Sequence, residues 1–458
     1  MDKSMKVIVL STEKQFVSSS YLVALKSQNL ASYSVVDEET VSLTINTNHW
    51  VGRVVVDDIV IVAPPPFDNK DFLRFLVYAE GFDLSKSEDF GHFGSFDDSS
   101  NRDFFIFLAL TFVLTVQRSL GHNISKGYIE VSERNLVLRG RPLFKSSFGK
   151  HPSSGVACQI NRLSMDNELN RIILFGLKIA LVVLFRSDYR SKCSELIFLF
   201  RCVCSDSDFD SFNIDLALAG LKRNNEHYRS ALVMVKYLIQ GCQPNFFEGV
   251  GSRLPNFELY LPSLFENFVF RLIKEALRGS TLSVKNQASD NRALIDGDGR
   301  PYRRIIPDIV ISEGSTPRAV LDSKFKPRYF NSTPKSDIPR RNKVSNSDIY
   351  QVFFYQQRLV VRHKLKGAPK AVIVAPSLYG ASHHPDVAKR TIIWPGYLDQ
   401  ADDCKIVVLP LPLKEVLKGL VNHGSAREAL KYAPELAEFC SSLVKRTSTA
   451  TENQKSPL

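Results

Sequence analysis

Two carboxylates and an ammonium group lie close together in R-I-I-P-D-I-V-I-S-E-G-S-T-P-R-A-V-L-D-S-K-F-K-P-R-Y, the stretch from Arg304 to Tyr329. Two runs rich in Ile, Val and Leu, 305–311 and 319–325, flank the turn-forming Glu313-Gly314-Ser315-Thr316-Pro317, so they read as adjacent strands. Asp308 lies in the first run and Asp322 in the second, where packing alone would place an apolar side chain. Strand alternation puts Lys324, two residues on, on the same face as Asp322. Such a set suits a hard divalent cation. Mg²⁺ prefers oxygen ligands, keeps several waters, and is held by one or two carboxylates together with substrate phosphate. It would lower the pKa of a bound water and stabilise charge on a phosphoryl group, with Lys324 orienting that water or neutralising the oxyanion. The competing reading of so short a pattern is a surface hairpin with a cross-strand Asp–Lys pair.

Two helices should bracket these strands. Upstream, 264–273 (L-F-E-N-F-V-F-R-L-I) is amphipathic and starts from Pro262-Ser263, which puts Glu266 in a first turn, where it would also complement the helix dipole. Downstream, a helix opening at Asp348 carries Gln351 and Tyr355 four residues apart, on one face. The order P-D, thirteen residues, then D-x-K resembles the PD-(D/E)xK nuclease superfamily, and the following Q-x-x-x-Y is similar to that of its RecB-like members. The resemblance implies that Glu266 joins Asp308 and Asp322 at the metal. It also implies that Lys324, Gln351 and Tyr355 complete the catalytic set.

A chain of 458 residues calls for two or three domains. At 44% hydrophobic and 23% charged it reads as globular, neither disordered nor membrane-bound. A net charge of +11 suits a polyanionic partner. The longest apolar stretches, 104–116 and 172–185, are too short for a bilayer and read as buried helices, and no signal peptide opens the sequence; the expected location is the cytoplasm. Seven cysteines without zinc-ligand spacing read as reduced, buried thiols. No G-x-x-x-x-G-K-[ST] loop is present, so nucleotide hydrolysis is not expected of this chain.

Along the chain, an α/β composition, α+β overall, resolves into four parts. Residues 1–125 are a β-rich N-terminal region that turns helical after Ala63-Pro64-Pro65-Pro66. Residues 126–250 are mainly helical, with Asp166 as a cap of the helix ending near Phe185, and with 127–144 as a polar helix end, a short strand and a turn at Arg139-Gly140-Arg141. Residues 251–445 form the nuclease domain, a mixed sheet flanked by helices, with 289–304 as a polar loop ahead of the Asp308 strand. Residues 446–458 are a flexible tail.

The N-terminal half sharpens the resemblance. W-V-G-R-V-V-V-D-D-I-V-I-V-A-P-P-P (50–66), G-Y-I-E-V-S-E-R-N-L-V-L-R-G-R (127–141) and D-N-E-L-N-R-I-I (166–173) follow the order and spacing of the McrC family, nuclease subunits of McrBC-type modification-dependent restriction systems. One departure is V-A-P-P-P at 62–66, where the family ends its strand I-L-P-K. The resemblance implies a Mg²⁺- or Mn²⁺-dependent type IV restriction endonuclease subunit acting on DNA carrying 5-methylcytosine. Its partner would be an AAA+ GTPase of the McrB type, docked through residues 1–250, with GTP used only by that partner. Double-stranded DNA would meet Lys326, Arg328, Arg340, Arg341 and Lys343, whose cationic side chains suit phosphate contact; a solvated basic loop is the alternative. Other readings are a non-catalytic adaptor of an AAA+ ring and a LlaJI-like nuclease subunit reading an unmodified site.

Overall fold

The computed structural model describes residues 6–10, 15–18, 31–37, 39–45, 50–56, 59–81, 84, 103–147, 155–184, 189–206, 213–240, 256–330, 344–377, 390–393 and 405–452. Contact density divides the chain into two units: Met1–Lys6, Arg53–Val60 and Asp103–Phe257 in one, Val7–Gly52, Ile61–Arg102 and Glu258–Leu458 in the other. The architecture is mixed α/β, as the sequence predicts.

In the first unit, the apolar stretches become the buried helices Phe104–Ser119 and Glu168–Val183, packed with Tyr189–Arg201 and Arg229–Gln240. Gly176 lets three of these helices approach closely: a Cβ there would sit 2.6 Å from Val235 Cγ2 and 2.9 Å from Phe112 Cζ. Asp166 does not cap the second helix. The residue after it, Asn167, has the extended backbone a cap needs and accepts the Asn170 N–H, while Asp166 takes Arg171 Nε at 2.6 Å and Ser205. At 127–144 the strand is longer than expected and takes the place of the expected helix end: Gly127–Asn135 is a nine-residue strand paired along its length with Val156–Ser164.

The second unit holds the predicted mixed sheet. Its strands are β1 (Leu282–Asn286), β4 (Ile309–Glu313), β5 (Thr316–Ser323), β6 (Lys370–Ser377), β7 (Arg390–Ile393) and β8 (Lys405–Pro412), in the order β1-β4-β5-β6-β8-β7. β5 pairs antiparallel with β4 and parallel with β6, and nearly every residue of these central strands is buried. The segment at 289–304 is not a loop: β2 (Asp290–Ile295) and β3 (Pro301–Ile305) form a separate two-stranded sheet. Helices α1 (Asn69–Ala79), α2 (Leu261–Ala276) and α3 (Asn346–His363) position the site. α1 braces α2 through Phe75 on Phe268, ring centroids 5.1 Å apart, and through Tyr78 OH donating to Glu275 at 2.8 Å. The last helix, Pro434–Glu452, extends past residue 446 into the segment read as a tail.

Candidate metal centre

The two aspartates meet because β4 and β5 are neighbours in the sheet. Asp308 immediately precedes β4, and its Oδ2 accepts the Ser323 backbone N–H at 2.7 Å, across from its own strand. Asp322 is the penultimate residue of β5, and its side chain is 0% exposed. Among the described residues its one close cation is Lys324, whose Nζ lies 2.8 Å from Oδ2, while Oδ1 has no hydrogen-bond partner. A buried carboxylate oxygen without a donor is costly, and native proteins rarely tolerate one without a reason.

Charge in this cluster is correspondingly strained. Burial, followed by the facing charges of Asp322 and Glu266, pushes the Asp308 carboxyl up to about 8. Burial also raises Asp322, against the pull of Lys324. Burial alone would lower Lys324, but Asp322, Asp308 and Asp348 together carry its ammonium above the ordinary lysine value. One ammonium thus faces two buried acids that resist ionising together. A divalent cation bound by Asp308 and Asp322 would meet that deficit with ligands of the right chemistry, and Mg²⁺ needs no more than two carboxylates and water.

The other predicted residues gather around this pair in unequal ways. Gln351 of α3 accepts from Lys324 Nζ at 3.1 Å and donates to Tyr355 OH at 2.7 Å, so Lys324, Gln351 and Tyr355 form one chain of contacts. Glu266 lies in the second turn of α2, not the first, because the helix begins at Leu261. Phe265 packs edge-on against Phe325 at 5.6 Å and brings that turn to the site. The Glu266 carboxylate is held at Oε1 by Gln287 Nε2, 3.0 Å away. Among the described residues, no group of three His, Cys, Asp or Glu side chains stands ready-formed as a metal site.

Lys326 points away from solvent. Its Nζ bonds both oxygens of Asp348, at 2.9 and 2.7 Å, and Asp348 also takes the Tyr329 hydroxyl. Arg340, Arg341 and Lys343 lie outside the described residues, as does the side chain of Arg328.

Sequence reasoning missed Gln287 and Asp348. Gln287, at the left-handed φ of +46°, donates its backbone N–H to the Asp308 carbonyl at 2.8 Å while its side chain holds Glu266. Nothing local marks it. Asp348 did carry a signal, since Ser345-x-x-Asp348 is a capping pattern, and Ser345 is indeed the N-cap.

This arrangement of helices and mixed sheet has solved counterparts. A chain in the assembly of Thermococcus gammatolerans McrB AAA+ hexamers with bound McrC is similar at a TM-score of 0.53 and 17% identity, with 94% of this chain and 100% of that chain covered. A chain of the Thermococcus gammatolerans McrBC complex gives 0.39 at 17% identity, covering 59% and 88%. Among curated proteins nothing matches. At 17% identity the structural likeness shows the fold alone. A family model then matches residues 45–365: the chain belongs to the McrBC family, described as 5-methylcytosine restriction system components. Among the described residues, no helix is long and apolar enough to cross a membrane.

Proposed function

We propose that this chain is the metal-dependent DNA endonuclease subunit of a McrBC-like restriction complex. The observation that carries this reading is Asp322, fully buried beside a second acid, Asp308, with Lys324 as its one close cation among the described residues. Asp308 and Asp322 would hold Mg²⁺ or Mn²⁺. When bound, the metal would supply a Lewis acid and a water of lowered pKa. Lys324, fixed by Gln351 and through it by Tyr355, would orient the attacking water and offset charge on the phosphoryl oxygens. Glu266, oriented by Gln287, would join Asp308 and Asp322 at the metal. An AAA+ GTPase of the McrB type would dock on the chain, consume GTP and present double-stranded DNA.

The alternative reading is a non-catalytic adaptor of the AAA+ ring. A single variant separates the two. In complex with the AAA+ partner and Mg²⁺, Asp308→Ala should abolish cleavage and leave GTPase stimulation at the wild-type level. Undiminished cutting by that variant would reject the catalytic reading.

A further inference from the structure

The β2–β3 sheet stands apart from the central sheet and is exposed over most of its length. Its turn is built by Asp296, whose Oδ1 accepts from Asp298 N at 3.0 Å and Arg300 N at 2.8 Å, with Gly299 at φ +75°. An isolated two-stranded ribbon is marginal in water, and this one is clamped at its base. Arg358 of α3 bonds the buried Asp290 at 2.8 Å and the Arg292 carbonyl at 2.9 Å, and Arg362 adds a contact at 3.5 Å. Arg292, Arg303 and Arg304 remain exposed, and none forms an ion pair among the described residues. Beside them Tyr302 and Ile295 are 75% and 58% exposed.

Both ends of the ribbon are rooted at the acid pair. Gln287, three residues before β2, bonds the Asp308 carbonyl directly. On the other side only three residues separate Arg304 from Asp308, four Cα–Cα steps with a reach of at most about 14 Å.

We infer that the β2–β3 ribbon is a duplex-DNA contact, in which Arg292, Arg303 and Arg304 bind phosphates flanking the bond to be cut. This rests on the nuclease reading for its choice of polyanion. Guanidinium groups on a narrow ribbon match phosphate oxygens in geometry and charge, and a two-stranded ribbon is of a size that duplex grooves admit. The exposed Tyr302 and Ile295 are placed to meet sugar and base edges once the arginines engage. Lys326, committed to Asp348, is replaced in this role by residues upstream of the metal site.

The test is the salt dependence of duplex binding by the full chain, followed by fluorescence anisotropy in EDTA so that the DNA stays whole. R292Q/R303Q/R304Q should bind at least about tenfold more weakly near 0.1 M salt, with the log–log salt slope smaller by about 2 to 3. K192Q/K222Q/R223Q, which removes equal charge from the other unit, should match wild type. A ribbon variant with wild-type affinity and slope would overturn the inference. So would equal losses in both variants, a specific loss of partner-stimulated GTPase with DNA binding intact, or no duplex binding by wild type. If the ribbon variant loses affinity while Asp308→Ala still cuts, the contact stands and the nuclease reading falls.

Discussion

Asp103 and Asp322 are both aspartates buried in the protein interior, and their surroundings differ in kind. Asp103 caps the helix Phe104–Ser119 through the Phe105 N–H, 3.0 Å away, and pairs with Arg53 Nη1 at 2.7 Å, where Arg53 is itself only 1% exposed. Burial still raises the Asp103 carboxyl above its usual value, while Arg53 and the helix N–H groups pull it back down. Asp322 has Lys324 at one oxygen, no donor at the other among the described residues, and a second acid, Asp308, beside it. The first arrangement is what stability requires of a buried charge. The second leaves a carboxylate ready to receive something from outside the chain.

The contrast breaks if both aspartates behave alike on substitution. Asp322→Asn should eliminate DNA cleavage by the assembled complex, the largest effect expected, while thermal unfolding of the metal-free chain stays at or above the wild-type temperature. A melting temperature that drops sharply would recast Asp322 as structural. Arg53→Met should do the opposite. It strands Asp103 as an unpaired buried charge, for a loss of about 3–5 kcal/mol by urea unfolding. A neutral outcome would show that the helix-capping bonds alone satisfy Asp103.

Asp166 gives the smallest and sharpest version of the comparison. Its hydrogen bond from Arg171, helped by Ser205, holds the carboxyl down at about 2 despite some burial. A folded value below the unfolded one means the stabilisation is complete above about pH 4 and is lost as pH falls toward 2. Asp166→Asn should therefore flatten the acid limb of stability across that window and change little at pH 7, since the pair is partly exposed and screened. An unchanged acid limb would place the effect elsewhere.

What could be read from the sequence followed the strength of the local pattern. The Ile309–Glu313 and Thr316–Ser323 strands announced themselves through Ile/Val/Leu runs broken at Gly314, and the misplaced acids within and beside them located the aspartate pair. Helical spacing put Gln351 and Tyr355 on one face, and the resemblance implied their place in the site. The β2–β3 ribbon escaped because it buries Asp290 instead of an apolar face, so its sequence shows none of the alternation that marks a strand. Glu266 was placed a turn too early because Pro262 reads as a start signal, whereas the helix begins at Leu261 with Pro262 inside its first turn. Lys326 looked like a free cation because its partner, Asp348, lies 22 residues away and arrives only with the fold. The family signature in the N-terminal half was legible from order and spacing, and the match over residues 45–365 agrees with it.

Gln287 has a mechanical consequence. One residue, held at a backbone angle that most side chains avoid, ties the Asp308 main chain to the Glu266 carboxylate. It sits three positions ahead of a protruding hairpin, so any tug on that hairpin is delivered straight to two acids. Alignment of the centre is therefore only as firm as the footing of a segment that contributes no ligand of its own.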